Sequence, residues 1–481
     1  MKRFLWLGFV LCLYLICSGC GDTFRPIIIP NPPTFPNPKA AHSVVAINDN
    51  GTVVPGTAMV IDVSGDTDVS VVNVAVAPVH AVQQTANEVL VVNRAVTGLN
   101  VPTTSCLVTF PPIPPNQVFN VCSSITKLNF SGTVIGSTST ISLPIYSGAS
   151  FVAVAPSSTT AYVAMPTYPP DPTQPLNILP SVGVVNTQSN TTQTVPVGQN
   201  PVALAVTPDN GKLYVANQGD STISGFDIVT LGLSQRVGSP MSTSSPPIWL
   251  VARSDNQRMY VLEQNGALAW LDTTSTPGPD TLTETTISVP RAINMLYDGN
   301  NNRLYIPGGT QLTILDVSQS APQILAGGPI AIPAVAPSSR LASDPCSATS
   351  AQTLTVAAVA ALPDGSRAYV GAYYEATVNN INYICPQATV INVASNTMKS
   401  STAVPGFPAN DAFCSATRFR VTMAAGGDSS RAYLASCDGG MVNIIDTTSD
   451  TYVLNLPAPL GVRPGGQQNL PQNPVFLFAG P

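Results

Sequence analysis

What this chain lacks most is charge. Charged side chains make up 9% of its 481 residues, against about 25% in an average soluble protein. Lys and Arg number 19 and Asp and Glu 25, for a net charge of −6 with no basic excess. That removes the electrostatic basis for gripping a phosphate backbone, so nucleic acid is not an expected partner. Histidine is nearly absent, at two residues, which excludes His-rich metal centres. A Ser-His-Asp triad would need His42 or His80. His42 stands at the end of a Pro-rich segment, and His80 sits in the apolar stretch Pro78-Val-His-Ala81. Both read as structural residues. No Gly-x-x-x-x-Gly-Lys-Ser/Thr loop and no His-Glu-x-x-His motif occurs. Asp298-Gly-Asn-Asn-Asn302 opens like a calcium loop. It then has Arg303 where such a loop needs Gly and Gly309 where it needs Glu.

What is present points to strands. The hydrophobic share of 44% belongs to a chain with a core, since disorder pairs low hydrophobicity with high charge. The shortage of charged residues argues against helices, which use Glu, Lys and Arg on wet faces. Pro (46) and Gly (35) are plentiful, as many short strands joined by turns require.

The first residues read as an address. Lys2 and Arg3 precede an apolar run, Phe4 to Cys17. Such a run is too short for a transmembrane helix of about 20 residues and suits a secretory signal. Cys17-Ser-Gly-Cys20 follows. This resembles a bacterial lipoprotein signal, with cleavage before Cys20 and lipidation of its sulfur. It departs from that pattern in having Cys17 where Leu is preferred. Gly21 stands where haem attachment needs His. The resemblance implies a signal over residues 1–19 and a membrane partner held through an N-terminal lipid. Loss of that signal takes the net charge to −8. Residues 20–41 are Pro-rich and favour an extended tether, which could reach roughly 60 Å. The folded domain is expected over 42–481.

Six cysteines follow Cys20, at 106, 122, 346, 385, 414 and 437. An even count in an exported chain reads as disulfides. Cys106 and Cys122 flank Leu107–Phe110, a Pro-rich loop and Val118–Val121, so a hairpin would bring them together.

One unit recurs. Pro201-Val-Ala-Leu-Ala-Val206 is followed by Asp209-Asn-Gly211, Lys212-Leu-Tyr-Val-Ala-Asn217 and Ile223-Ser-Gly-Phe-Asp227. That is strand, tight turn, strand, loop, strand, with turn residues that accept positive φ. The second-strand Tyr recurs at 162, 214, 260, 305, 369 and 433, and an Asp ends the third strand at 227, 272, 316 and 446. Spacings start near 45 residues, and four strands per unit at that period mean propeller blades. Wider spacings mark insertions at 166–180, 337–353 and 373–386. The Tyr column reads as packing between blades and the Asp column as turn capping.

The unit resembles the YVTN-family β-propeller repeat, best at Tyr214-Val-Ala-Asn217, over about residues 42–480. The resemblance implies a fold and says little of function. Residues 43–76 supply three strands without an inner one, and Pro474–Ala479 supplies one strand. The last strand is therefore expected to complete the first blade, so no edge stays open. Eight blades follow from the repeat count, with seven as the alternative. In this arrangement Cys346 falls near Cys385, and Cys414 near Cys437.

Loops from second to third strands, and from blade to blade, share the face that holds the channel mouth. Its polar candidates include His80, Arg94, Asn217, Glu263, Arg291, Glu375 and Arg420, with Arg418 and Asp438 beside them. No catalytic set, metal set or cofactor is assigned. The expected function is a lipid-anchored, non-catalytic scaffold of the bacterial cell envelope, periplasmic or cell-surface, that binds a protein or glycan. The alternative is a lactonase-like hydrolase using a divalent metal at the mouth, with Glu263, Glu375, Asn217 and His80 as ligands.

Overall fold

The unit at residues 201–235 shows how each blade forms. Pro201–Val206 pairs with Lys212–Asn217, which pairs with Thr222–Val229, which pairs with Gly232–Gln235, all antiparallel. The first turn is set by Asp209, whose Oδ1 accepts the Gly211 N–H at 2.9 Å, while Asn210 takes φ of 60°. The same device recurs, with Asp255, Asp364 and Asp428 accepting from the residue two places on. The following Asn256, Gly365 and Ser429 take positive φ.

This computed structural model describes residues 43–480, apart from 52–53, 95–106, 110–117, 121, 145–146, 155–158, 167–178, 231, 275–277, 320, 349–352, 410–412, 415–416 and 463–467. The signal, the tether, Cys20 and Cys106 lie outside the described residues. Among the described residues, eight four-stranded antiparallel sheets form the blades of an all-β propeller. Seven blades, the alternative count, does not hold. Blade 1 is closed by the chain's end. Asn473–Ala479 is its innermost strand and pairs with Ser43–Asp49, placing Val44 opposite Ala479 and Ile47 opposite Phe476. Blades 2 to 8 start at Pro78, Phe151, Pro201, Pro247, Leu296, Thr355 and Val421.

Eight hydrophobic clusters fill the joints, one between each pair of neighbouring blades. Each Tyr of the recurring column lies in the joint with the next blade, at no more than 1% exposure. Burying such a side chain stabilises by about 1.5–3 kcal/mol. Leu90 and Val45 take the Tyr position in blades 2 and 1.

The lower face, where third strands end, carries a second set of ties. The Asp and Asn column caps its turns. Asn186, Asp272, Asp316, Asn392 and Asp446 accept backbone N–H groups two or three residues on. A cation then reaches the next blade and donates to the carbonyl just after that column. Lys127 donates to Thr187 O at 2.6 Å, Arg253 to Val317 O at 2.7 Å and Arg303 to Val393 O at 2.5 Å. Lys212 and Arg367 reach Thr273 O and Thr447 O in the same way. At the joint from blade 8 to blade 1, Arg431 pairs with Asp66 at 2.9 Å instead.

One expected insertion has a different form. Residues 373–386 are not an added loop. They continue two strands, Arg367–Val378 and Ile381–Asn392, into a tall hairpin turned at Asn379 and Asn380, both at positive φ. Its extra residues keep alternating along the pleat, so the strands simply lengthen.

Candidate channel mouth

Two expected disulfides are present. Cys346–Cys385 and Cys414–Cys437 bridge Cα atoms 5.9 and 5.7 Å apart. Both staple the upper side of blades 7 and 8. Cys122 is disulfide-bonded too. Its expected partner Cys106 lies outside the described residues, while Leu107–Thr109 and Val118–Asn120 do form the expected hairpin.

The innermost strands carry aromatic rings that meet across the propeller axis. His80 of blade 2 stacks on Phe151 of blade 3, with centroids 3.9 Å apart, and lies 4.5 Å from Phe476 of blade 1. Phe151 meets Trp249 of blade 5 edge-on at 5.4 Å. Trp249 meets Phe419, at the start of blade 8, at 5.8 Å. Blades 3 and 5 are not neighbours, and neither are blades 5 and 8. Their rings touch only because they project into the channel and fill it at this level.

Arg418 completes that layer. Its guanidinium lies 4.7 Å from the Trp249 ring centroid, 5.6 Å from Phe419 and 5.9 Å from Phe151. It starts in blade 8 and donates to Val202 O of blade 4 at 2.8 Å and to Ile248 O of blade 5. No carboxylate of the described residues pairs with it. Burial lowers its pKa to about 10, with the positive charge of Arg94 adding to the effect. Part of its surface remains exposed. His80 is buried, and burial together with Arg418 holds its pKa down at about 3. Its Nδ1 accepts the Val152 N–H at 3.5 Å. The neutral ring therefore carries its proton on Nε2.

The other expected mouth residues are spread around the ring. Arg94 follows the second strand of blade 2 and is partly exposed. Its charge also acts on Asp49, a buried carboxyl that burial pushes up to about 7 and whose Oδ1 accepts the Gly51 N–H. Asn217 is fully buried, and its Nδ2 donates to Thr222 and Ser224. Glu263 is also fully buried, and its Oε2 accepts from Ser244 at 2.6 Å. Burial raises the Glu263 pKa, and the nearby carboxyl of Glu284 raises it further. Arg291 is exposed at φ of 64°. The structure does join Glu375, Arg420 and Asp438. Arg420 makes two bonds to Asp438, at 2.7 and 2.9 Å, and one to Glu375 at 2.7 Å. His80, Glu263, Asn217 and Glu375 belong to blades 2, 5, 4 and 7, each with its own partners.

Sequence reasoning missed the aromatic layer. Its signal is a bulky ring near the start of an innermost strand, where other copies of the unit carry Ala or Val. Phe151, Trp249 and Phe476 all fit that description.

The chain resembles solved propellers in fold. AztD of Citrobacter koseri is 10% identical, with a TM-score of 0.54 over 91% of this chain and 97% of that one. A functionally unknown protein from Desulfotomaculum acetoxidans is 10% identical, with a TM-score of 0.50 over 89% and 97%. The periplasmic gluconolactonase PpgL of Pseudomonas aeruginosa is 10% identical, with a TM-score of 0.49 over 90% and 98%. At such identity the first two likenesses show the propeller fold alone. No protein-family model and no curated protein matches the chain.

Proposed function

We propose that this protein is a non-catalytic binding propeller of the bacterial cell envelope, held to a membrane by a lipid on Cys20. One observation carries the binding part. The channel, where a propeller could enclose reacting groups, is filled by His80, Phe151, Trp249, Phe419, Phe476 and Arg418. Beside it, Arg420 is locked to Asp438 and Glu375. Binding is left to the upper face above that plug, on loops stapled by disulfides. Those disulfides support maturation in an oxidising compartment, outside the cytoplasm. The lipid rests on Cys17-Ser-Gly-Cys20 alone.

Two measurements test the reading. Labelling with an alkyne fatty acid in a bacterial host is expected to mark the wild-type chain and not Cys20→Ala. Unlabelled wild type would remove the anchor. Metal analysis of the purified domain, together with a lactone-hydrolysis assay, tests the binding role. Stoichiometric divalent metal with turnover would replace it by the lactonase-like alternative.

A further inference from the structure

We propose that the channel mouth is a binding site for a small organic carboxylate with a flat apolar body, held by Arg418 over the aromatic plug. The inference deepens the binding reading above by naming a ligand class.

Arg418 is the unusual residue. Elsewhere in the molecule, enclosed cations face carboxylates. Arg236 bonds Asp280, Arg340 bonds Asp344, Arg420 bonds Asp438 and Arg431 bonds Asp66. Arg418 instead has two carbonyls, three aromatic rings and a like charge for company. A guanidinium set this deep with no anion among the described residues is costly, because its lost hydration is replaced only in part. A second arginine close enough to feel it makes the cost larger. A carboxylate arriving from solvent removes both penalties. It matches the planar fork of Arg in two parallel bonds.

The surroundings choose among anions. Inorganic anions gain nothing from the partly exposed rings of Trp249 and Phe476. A flat apolar body does, since ring contacts add to the area it buries. Asp49 does not oppose the arrangement. Burial pushes its pKa up to about 7, so below neutral pH it holds its proton and adds little negative charge. His80, neutral with its proton on Nε2, adds no competing cation.

The probe is benzoate, titrated into the full-length domain and followed by calorimetry and by tryptophan fluorescence, to which Trp249 contributes. Saturable binding is expected, with benzyl alcohol and tetramethylammonium binding far more weakly. Arg418→Gln is expected to weaken benzoate by roughly 10–100-fold, and Arg94→Gln, which removes only a more distant charge, by less. Arg418→Lys keeps the charge but loses the fork and should fall between. Arg94→Gln, on the partly exposed edge, should keep the wild-type melting midpoint and so separates binding from folding. Benzyl alcohol binding as well as benzoate would overturn the proposal, because the rings alone would then suffice. Tetramethylammonium binding better than benzoate would also overturn it, since the rings would then be a cation cage with Arg418 as its stopper. Failure of benzoate to bind the wild type ends this inference. The binding reading would still stand on metal content and lactone turnover.

Discussion

The two ends of the propeller are built on opposite rules. The lower face repeats. A cation reaches to the next blade's turn and a capped Asp or Asn ends the third strand, at joint after joint. The upper channel mouth repeats nothing. Its rings come from five different blades, and its central cation has no copy elsewhere. Repetition marks what any blade needs in order to hold its neighbour. Departure from repetition marks what only this molecule needs. That contrast locates the candidate site more firmly than any motif does.

It also makes the two ends breakable in different ways. The largest effect should come from the lower face at the joint of blades 4 and 5. Asp280 there accepts from Arg236 and Tyr214 and pairs with Lys212 at 3.6 Å, with only 1% of its side chain exposed. Asp280→Ala strands two cations in a buried place. It should destabilise by about 3–5 kcal/mol in urea unfolding while leaving benzoate binding by the folded fraction intact. A loss under 1 kcal/mol would show that the ties between blades matter little.

Next is the stapled upper side. Cys414 and Cys437 close a loop with a sequence separation of 23. The Cys414→Ser, Cys437→Ser double variant should lose about 2–4 kcal/mol, read as a lower urea midpoint. Because Arg418 and Arg420 follow Cys414 closely, this variant should also weaken benzoate. Unchanged affinity would mean that the staple serves stability alone.

Smaller still is a comparison inside the Tyr column. The Tyr369 hydroxyl donates to Asp450 at 2.5 Å, whereas the buried Tyr433 hydroxyl has no hydrogen-bond partner. Tyr369→Phe should cost about 1 kcal/mol and Tyr433→Phe close to nothing. Equal losses would show that ring packing alone sets the column.

The smallest effect in the wild type is a pH slope, because two groups oppose each other. Asp49 holds its proton up to about pH 7 when folded and only to 3.8 when unfolded. Its contribution is full below the unfolded value and is lost as pH rises through the folded one. His80 refuses a proton down to about 3 when folded, against 6.5 unfolded. Its contribution is full above the unfolded value and is lost as pH falls toward 3. Asp49→Asn should therefore lose stability on acidification from pH 7 to 4 more steeply than wild type, and His80→Gln less steeply. Parallel curves for all three would place both groups in water.

Much of this fold was legible because propeller blades are periodic. The Tyr column, the Asp turns, the closing strand and two disulfides all follow from spacing. The cation column was just as visible, as Lys212-Leu-Tyr214, Arg303-Leu-Tyr305 and Arg367-Ala-Tyr369. It escaped notice because charge on a strand reads as solvent exposure, and the carbonyls it meets belong to another blade. The mouth was less legible for a related reason. Glu263 and Asn217 end strands at a loop face, which reads as exposure, yet neighbouring blades bury both. The aromatic plug joins residues from across the ring, and no spacing along the chain records that.

The most direct test of the contrast is a crystal structure of the protein with 4-bromobenzoate, in which the bromine is located by its anomalous signal. The expected result is one bromine site above the Trp249 and Phe476 rings, with the carboxylate within hydrogen-bond distance of Arg418, absent in Arg418→Gln. Bromine on the lower face alone, or in the same mouth position in Arg418→Gln, would contradict the account.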